Sequence, residues 1–239
     1  MKVGIVYTST TPELTELVEK ELGTALGAGA VYANYQDPSI LAEVREAGYV
    51  TPGATARLVG LYVDAINDGS DVILNCCSSV GEVADAAQGI AKFTGIPIVR
   101  IDEEMCRAAV RSAAQAGEKI AVMATLSSTL EPTKNTLRRV AREMNNRVEL
   151  IDVLVEGAFG LSPDEFKTKM LSYAENGTKE ADVILFAQGS MAYCAEIIEQ
   201  RCGKKVFSSP IFGAEAVKAA LEAKGLLHSP AHNPTHALA

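Results

Sequence analysis

The apolar residues of this chain form short continuous runs, separated by longer stretches in which apolar positions recur at helical spacing. A short apolar run bounded by polar residues is typical of a parallel strand that is buried on both faces. On this basis the sequence predicts strands over residues 3–7, 31–35, 72–76, 97–101, 119–124, 148–155, 182–187 and 205–207.

The stretches between these runs predict helices. After the first run, Thr10 or Thr11 can cap a helix that has Pro12 in its first turn. Strands that alternate with helices indicate βαβ units, right-handed crossovers and parallel sheets. Helices are expected over residues 12–22, 39–47, 54–67, 83–91 (ended by Gly95), 103–116, 130–144 (with Pro132 in its first turn), 163–175, 191–201 and 213–224.

The two halves of the chain resemble each other. Residues 71–79 read DVILNCCSS, and residues 182–190 read DVILFAQGS, which places Cys77 opposite Gln188. An earlier pair, KVGIVYTS from residue 2 and KIAVMATL from residue 119, recurs in the same order. The sequence therefore predicts an α/β fold with two similar lobes, each a parallel sheet flanked by helices. We expect a pseudo-twofold relation between the lobes, with the active site between them.

The lobe boundaries follow from the same alternation. We assign residues 1–100 plus 212–239 to lobe 1, which carries the cysteine motif, and residues 101–211 to lobe 2. The last helix is expected to return to the first lobe.

Hydroxyl-rich segments follow four of the predicted strands and precede helices. In parallel sheets, ligands bind beyond the carboxyl ends of the strands, and N–H groups at helix starts attract anions. No Walker loop and no GxGxxG motif is present. These segments predict a site for a small carboxylate held by hydrogen bonds. The candidate binding residues are Thr8, Ser78, Ser79, Thr125, Ser127, Gln188, Gly189 and Ser190.

The composition limits the kinds of molecule that this protein is expected to bind. The net charge is −8 and the pI is near 5.0, which argues against nucleic acid or an anionic membrane surface as a partner. The N-terminal apolar run is too short for a signal peptide, and no run is long enough to span a membrane. We therefore expect a cytoplasmic protein, and a homo-oligomer is compatible with the sequence.

The three histidines all follow residue 227, in a segment interrupted by Pro230 and Pro234. We expect an undocked tail there and no metal site, because the prolines prevent a helix that would align the histidines. Catalysis by a Ser-His-Asp or Cys-His group, or by a histidine-bound metal, is therefore disfavoured.

Among the five cysteines, Cys77 is the candidate for catalysis. It ends a predicted buried strand and precedes a helix, where the helix dipole and free N–H groups favour a thiolate. Alternation along the strand directs only one of Cys76 and Cys77 to the cleft, and Cys76 suits the core better. Cys106, Cys194 and Cys202 lie at helical positions and are expected to be structural.

These motifs resemble those of the aspartate/glutamate racemase superfamily. Cys77-Ser78-Ser79 is similar to its first cysteine motif, commonly Ala-Cys-Asn-Thr, and residues 183–192 are similar to its second, commonly Leu-Gly-Cys-Ala-Gly-Met-Ala. The resemblance covers almost the whole chain. It implies a cleft between lobes, a cysteine thiolate, a carboxylate substrate and no cofactor. Gln188 departs from the pattern, since racemases place their second cysteine there.

That departure bears on mechanism. Racemisation by two bases needs a titratable group on each side of the substrate carbon, and glutamine can only offer hydrogen bonds. We therefore predict a cofactor-independent isomerase or lyase with one-cysteine acid/base or nucleophilic chemistry at a carbon next to a carboxylate. Arylmalonate decarboxylase, of the same superfamily, resembles this arrangement in having a single cysteine, although that cysteine lies on the opposite lobe. The alternatives are an amino-acid or hydantoin racemase with another second group, and a non-catalytic carboxylate-binding protein.

Overall fold

The computed structural model describes residues 1–158 and 160–227. The predicted tail and its histidines lie outside these residues. Each predicted strand is present, and each end lies within one residue of the predicted end. The strands are β1 (Lys2–Tyr7), β2 (Val31–Gln36), β3 (Val72–Asn75), β4 (Ile98–Arg100), β5 (Lys119–Ala124), β6 (Glu149–Leu154), β7 (Val183–Phe186) and β8 (Val206–Phe207).

The described residues form two four-stranded sheets, and every strand pair in them is parallel. The first sheet has the order β2-β1-β3-β4 and the second has the order β6-β5-β7-β8. The two orders are equivalent when β5 is matched to β1 and β7 to β3. This is the repeat seen in the sequence, and it confirms the α/β fold with two lobes.

The helices flank both sheets. Residues 78–80 and 189–194 form short 3₁₀ segments directly after β3 and β7. The α-helices are α1 (Pro12–Leu26), α2 (Pro38–Ala47), α3 (Pro52–Asn67), α4 (Gly81–Ala86), α5 (Gln88–Thr94), α6 (Glu103–Ala114), α7 (Ser127–Glu143), α8 (Pro163–Gly177), α9 (Ala195–Cys202) and α10 (Ser209–Ala223).

Several helix starts differ from the prediction. Helix α7 begins at Ser127, so Pro132 lies inside the helix and not in its first turn. The run Ser127-Ser128-Thr129 was interpreted as a loop because serine and threonine favour caps, but it forms the first turn of α7. Helix α10 begins four residues before the predicted start, and the helix predicted over 83–91 divides at Ala87.

The hydrophobic core has a layer on each face of each sheet. Helix α6 packs with the second sheet, through Cys106 and Val110 among others. Helix α10 packs with the first sheet, through Val217 and Leu221.

The exact boundaries of the lobes stay a prediction, and residues 228–239, which were assigned to the first lobe, lie outside the described range. In the described part of the chain, no helix is long and apolar enough to cross a membrane.

Candidate active site

Residues from both lobes line one cavity at the carboxyl ends of the strands. Its volume is about 110 Å³, well below the roughly 300–1,000 Å³ of pockets for drug-sized ligands, so it suits a small molecule. Seven of the nine predicted site residues line it, namely Thr8, Cys77, Ser78, Ser79, Gln188, Gly189 and Ser190. The other lining residues are Ser9, Thr10, Thr11, Leu14, Leu41, Cys76, Leu126, Thr129 and Ala187.

Cys77 and Gln188 occupy equivalent places in the two lobes. Cys77 has φ −131° and ψ 112°, and Gln188 has φ −128° and ψ 133°. Each precedes a 3₁₀ segment that follows a buried strand, Ser78–Val80 in the first lobe and Gly189–Cys194 in the second. The backbone therefore repeats at the two positions where the side chains differ. We refer to Cys77 with residues 78–80 as the Cys77 turn.

The thiol of Cys77 is half-buried and receives several hydrogen bonds. Burial raises the pKa of Cys77, while hydrogen bonds from the Thr8 hydroxyl, the Ser79 and Val80 N–H groups and the Ser79 hydroxyl lower it. Burial has the larger effect, so the net pKa lies above the usual value. The N–H groups that follow Cys77 therefore favour the thiolate, as expected, but burial outweighs them, so the expectation of a net lowered pKa is wrong.

Thr8 lines the cavity beside Cys77. Thr8 is fully buried, and its hydroxyl donates to the Cys77 sulfur. It faces the Cys77 sulfur closely enough to lower the pKa of that thiol.

Two buried polar residues hold the backbone of the Cys77 turn. The Tyr62 hydroxyl donates to Asn75 Oδ1 at 3.0 Å, and Asn75 Nδ2 donates to the Cys77 carbonyl at 3.0 Å. Both residues are fully buried. Sequence reasoning missed this pair, although Asn75 was a polar residue at the end of a predicted apolar strand.

Gln188 is oriented by Thr125. The Thr125 backbone N–H and its hydroxyl both donate to Gln188 Oε1, at 2.7 and 3.0 Å. The carbonyl end of the side chain is therefore occupied. No hydrogen bond within the described residues uses Nε2, which leaves the amide hydrogens for the cavity. Thr125 itself does not line the cavity, so it holds Gln188 and does not replace it as a substrate contact.

Thr129 belongs to the site and was not predicted. Its hydroxyl lies 2.9 Å from the Ser79 hydroxyl, and this hydrogen bond joins the two lobes beside the cavity. The hydroxyl-rich run that contains Thr129 was noticed, but its helical phase could not be known. Ser127, the predicted member of that run, instead lines an outer pocket with Arg45 and Gly48.

The other thiols are poorly placed for the reaction. Cys76 packs in the core of the first lobe, and Cys106 and Cys194 are fully buried. Burial raises the pKa of Cys76 and Cys106 well above the usual value, and raises the pKa of Cys194 to about 11. Cys202 is half-buried in α9 and does not line the cavity.

A larger groove of about 500 Å³ adjoins the cavity and shares Leu14, Gly189 and Ser190 with it. Helix α1 forms one wall of the groove, and the segment after Gln188 together with the start of α10 forms the other. Among the described residues that line the inner cavity there is no Arg, Lys or His. Hydroxyls, N–H groups and one amide are therefore the groups that can meet an anion.

The sequence matches a family model over residues 3–217, and the family is described as Asp/Glu/Hydantoin racemase. The chain belongs to this family. Membership confirms the predicted resemblance, and with it the prediction of an enzyme from a family of isomerases. A comparison with curated proteins found no match.

Solved structures of several other proteins have a similar fold. Glutamate racemase isoform RacE1 from Bacillus anthracis is 14% identical, with a TM-score of 0.67 over 94% of this chain and 83% of that one. Allantoin racemase from Pseudomonas fluorescens is 18% identical, with a TM-score of 0.59 over the whole of both chains. Arylmalonate decarboxylase is 13% identical, with a TM-score of 0.56 over 92% of each chain.

Proposed function

We propose that this protein is a cofactor-independent isomerase or lyase that uses Cys77 as its single acid/base group at a carbon next to a carboxylate. The observation that carries this proposal is the pairing of a thiol with an amide, Cys77 and Gln188, at equivalent positions around one small cavity. The free cysteines suit a reducing cytoplasm.

The raised pKa makes the neutral thiol the resting form of Cys77 near neutral pH. A neutral thiol can act as a general acid, and it would pass its proton to the carbon of an enediolate formed beside the carboxylate. The thiolate that remains accepts hydrogen bonds from the Ser79 and Val80 N–H groups. In a decarboxylation, loss of CO2 leaves the enediolate, and the thiolate regains its proton from solvent after the carbon has been protonated. In an isomerisation, the thiolate form of Cys77 first removes the α-proton to form the enediolate, and the resulting thiol returns a proton to another carbon.

The developing oxygen charge needs donors that are in place before reaction. Thr8 and Gln188 both line the cavity, and no hydrogen bond among the described residues uses the Nε2 hydrogens of Gln188, so these can donate to a substrate oxygen. Ser190 and Ser9 line the same cavity and can bind the second carboxylate oxygen. Because a 110 Å³ cavity has little space beyond these groups, the substrate is a small acid.

Racemisation is the alternative, and the second lobe argues against it. The lining residues that this lobe contributes are Leu126, Thr129 and residues 187–190, and none of them titrates in the accessible range. Cys194 is fully buried and outside the cavity, so it does not substitute for a second thiol. A non-catalytic carboxylate-binding protein is the other alternative, and the half-buried thiol inside the cavity favours an enzyme.

The proposal is tested by incubating the protein with small carboxylic acids in deuterated buffer and following the reaction by NMR. Exchange or product formation without inversion is expected, whereas inversion at the α-carbon indicates a racemase. Saturable binding without exchange or inversion indicates a binding protein.

Cys77→Ser should lower turnover by about 100-fold or more, since general acid–base catalysis commonly raises the rate by a factor of 10²–10⁴. Cys106→Ser is the control and should lose little; equal losses in both variants would contradict the role of Cys77.

A further inference from the structure

Behind the Cys77 turn lies a buried arginine that contacts both lobes. Arg100, the last residue of β4, is 4% exposed. Its Nε and Nη2 donate to the two carboxylate oxygens of the fully buried Asp102, each at 2.9 Å. Nη1 donates to Asp85 of α4 at 2.7 Å, and Nη2 also donates to the Thr136 hydroxyl of α7 at 2.8 Å. The guanidinium is thus held on three sides.

The fourth contact is with the residue that follows the Cys77 turn. A Cβ atom on Gly81 would lie 2.5 Å from Cζ and 2.8 Å from Nε of Arg100, inside van der Waals contact. The guanidinium therefore packs directly on the Gly81 backbone. Gly81 has φ −57° and ψ −33°, which any residue adopts, so the backbone conformation does not require glycine. Glycine is required at this position by the close approach of the Arg100 guanidinium.

Helix α7 presents a face of threonines to the first lobe. Thr129 and Thr136 are seven residues apart, which places them on the same side of the helix. Thr129 bonds to Ser79 within the Cys77 turn, and Thr136 bonds to Arg100 behind it. The turn is therefore held between a helix of the second lobe and a guanidinium that the same helix helps to fix.

We propose that Arg100 is a positioning residue that sets the place of the Cys77 turn relative to helix α7. The inference rests on the role of Cys77 given above, but it concerns residues outside the cavity. Arg100 acts through Gly81, and so it determines where the Ser79 and Val80 N–H groups point. These N–H groups hydrogen-bond the Cys77 sulfur. A displaced turn weakens those bonds and disfavours the thiolate.

The test uses alkylation of Cys77 by iodoacetamide as a function of pH, with tandem mass spectrometry to separate Cys77 from Cys76. This measurement does not require a substrate, so its outcome is independent of whether the proposed reaction is right. Gly81→Ala should lower the Cys77 alkylation rate near pH 8 by about three- to tenfold and move the profile to higher pH, because the rate follows the thiolate fraction.

Gly89→Ala is the matched control. Gly89 lies in the neighbouring α5, and a Cβ there meets nothing within 4 Å. Its alkylation profile should equal that of the unmodified chain. A Gly81→Ala protein that folds and also keeps the unmodified profile would overturn the proposal.

If Gly81→Ala fails to fold, a second pair of variants tests whether Arg100 positions the Cys77 turn. Thr136→Val keeps the side-chain volume and removes the hydroxyl that accepts from Arg100, whereas Thr136→Ser keeps a hydroxyl. The profile should move to higher pH in Thr136→Val and return toward normal in Thr136→Ser. Identical profiles for Thr136→Val, Thr136→Ser and the unmodified chain would show that Arg100 does not position the turn.

Discussion

Replacing Gln188 by cysteine tests the asymmetry of the cavity most directly. The backbone at Gln188 repeats the backbone at Cys77, so a cysteine there places a second thiol on the opposite wall. A two-thiol cavity can remove a proton from one face of a carbon and return one to the other. Gln188→Cys should therefore add slow racemisation or α-proton exchange on a chiral acid that fits.

The cost of the substitution follows from the contacts with Thr125. The Thr125 N–H at 2.7 Å and its hydroxyl at 3.0 Å both lose their acceptor, Gln188 Oε1. Thr125 is 7% exposed, so water replaces that acceptor poorly. An unsatisfied buried donor costs about 1–3 kcal/mol, and we expect the free energy of unfolding to fall by that amount. For a chain of this size each kcal/mol lowers Tm by about 2–4 °C.

The assay compares Gln188→Cys with Gln188→Met by thermal unfolding, native turnover and exchange in deuterated buffer. Methionine has nearly the volume of glutamine but neither accepts from Thr125 strongly nor donates to a substrate. Both variants should lose stability and native turnover to a similar degree, and only the cysteine variant should gain racemisation, seen as exchange with inversion at the α-carbon. Unchanged native turnover in both variants, without new exchange, would place Gln188 outside the site.

Two further predictions concern the link between the lobes and the buried thiols. Thr129→Val removes the hydrogen bond to Ser79 and should lower the free energy of unfolding by about 0.5–1.5 kcal/mol; a urea titration checks this, and Thr129→Ser should restore most of the loss. Burial raises the pKa of Cys77 and Cys106 in the folded state above the unfolded-state value near 9.0. The two neutral thiols therefore make their full contribution to the free energy of unfolding below pH 9, and this contribution is lost as the pH rises further. The free energy of unfolding should therefore be level between about pH 7 and 8.5 and fall above pH 9; a stability that rises over that range would contradict the burial of these thiols.

Strands were predictable from the sequence because a parallel strand that is buried on both faces consists of a continuous run of apolar residues, as in β3 and β7. Helix starts were harder, since a run such as Ser127-Ser128-Thr129 serves equally as a loop, a cap or a first turn. Only packing against the first lobe decides that it is helical and that Thr129, and not Ser127, faces the cavity. The strand repeat correctly aligned Cys77 with Gln188 because equivalent loops follow equivalent strands.

The electrostatics of the site were beyond sequence reasoning. The pKa of Cys77 depends on the balance between desolvation and four hydrogen bonds, and desolvation can be judged only after the chain has folded around the thiol. The contacts of Arg100 could not be predicted from the sequence either, because they form only in the folded chain. Its partners Asp85 and Thr136 lie 15 and 36 residues away in the chain, and no local pattern connects them.

The threonine face of α7 also bears on the side from which a substrate reaches the thiol. Thr129 and Thr136 join α7 to the first lobe, whereas the groove beside α1 adjoins the cavity through Leu14, Gly189 and Ser190 and is a route by which a substrate can enter. An acid arriving there passes Glu13, Glu16 and Glu21, with Lys20 as the one cation among the described residues of that wall. We expect this excess of negative charge to slow the entry of dianions more than that of monoanions, and the difference to weaken as salt screens the glutamates.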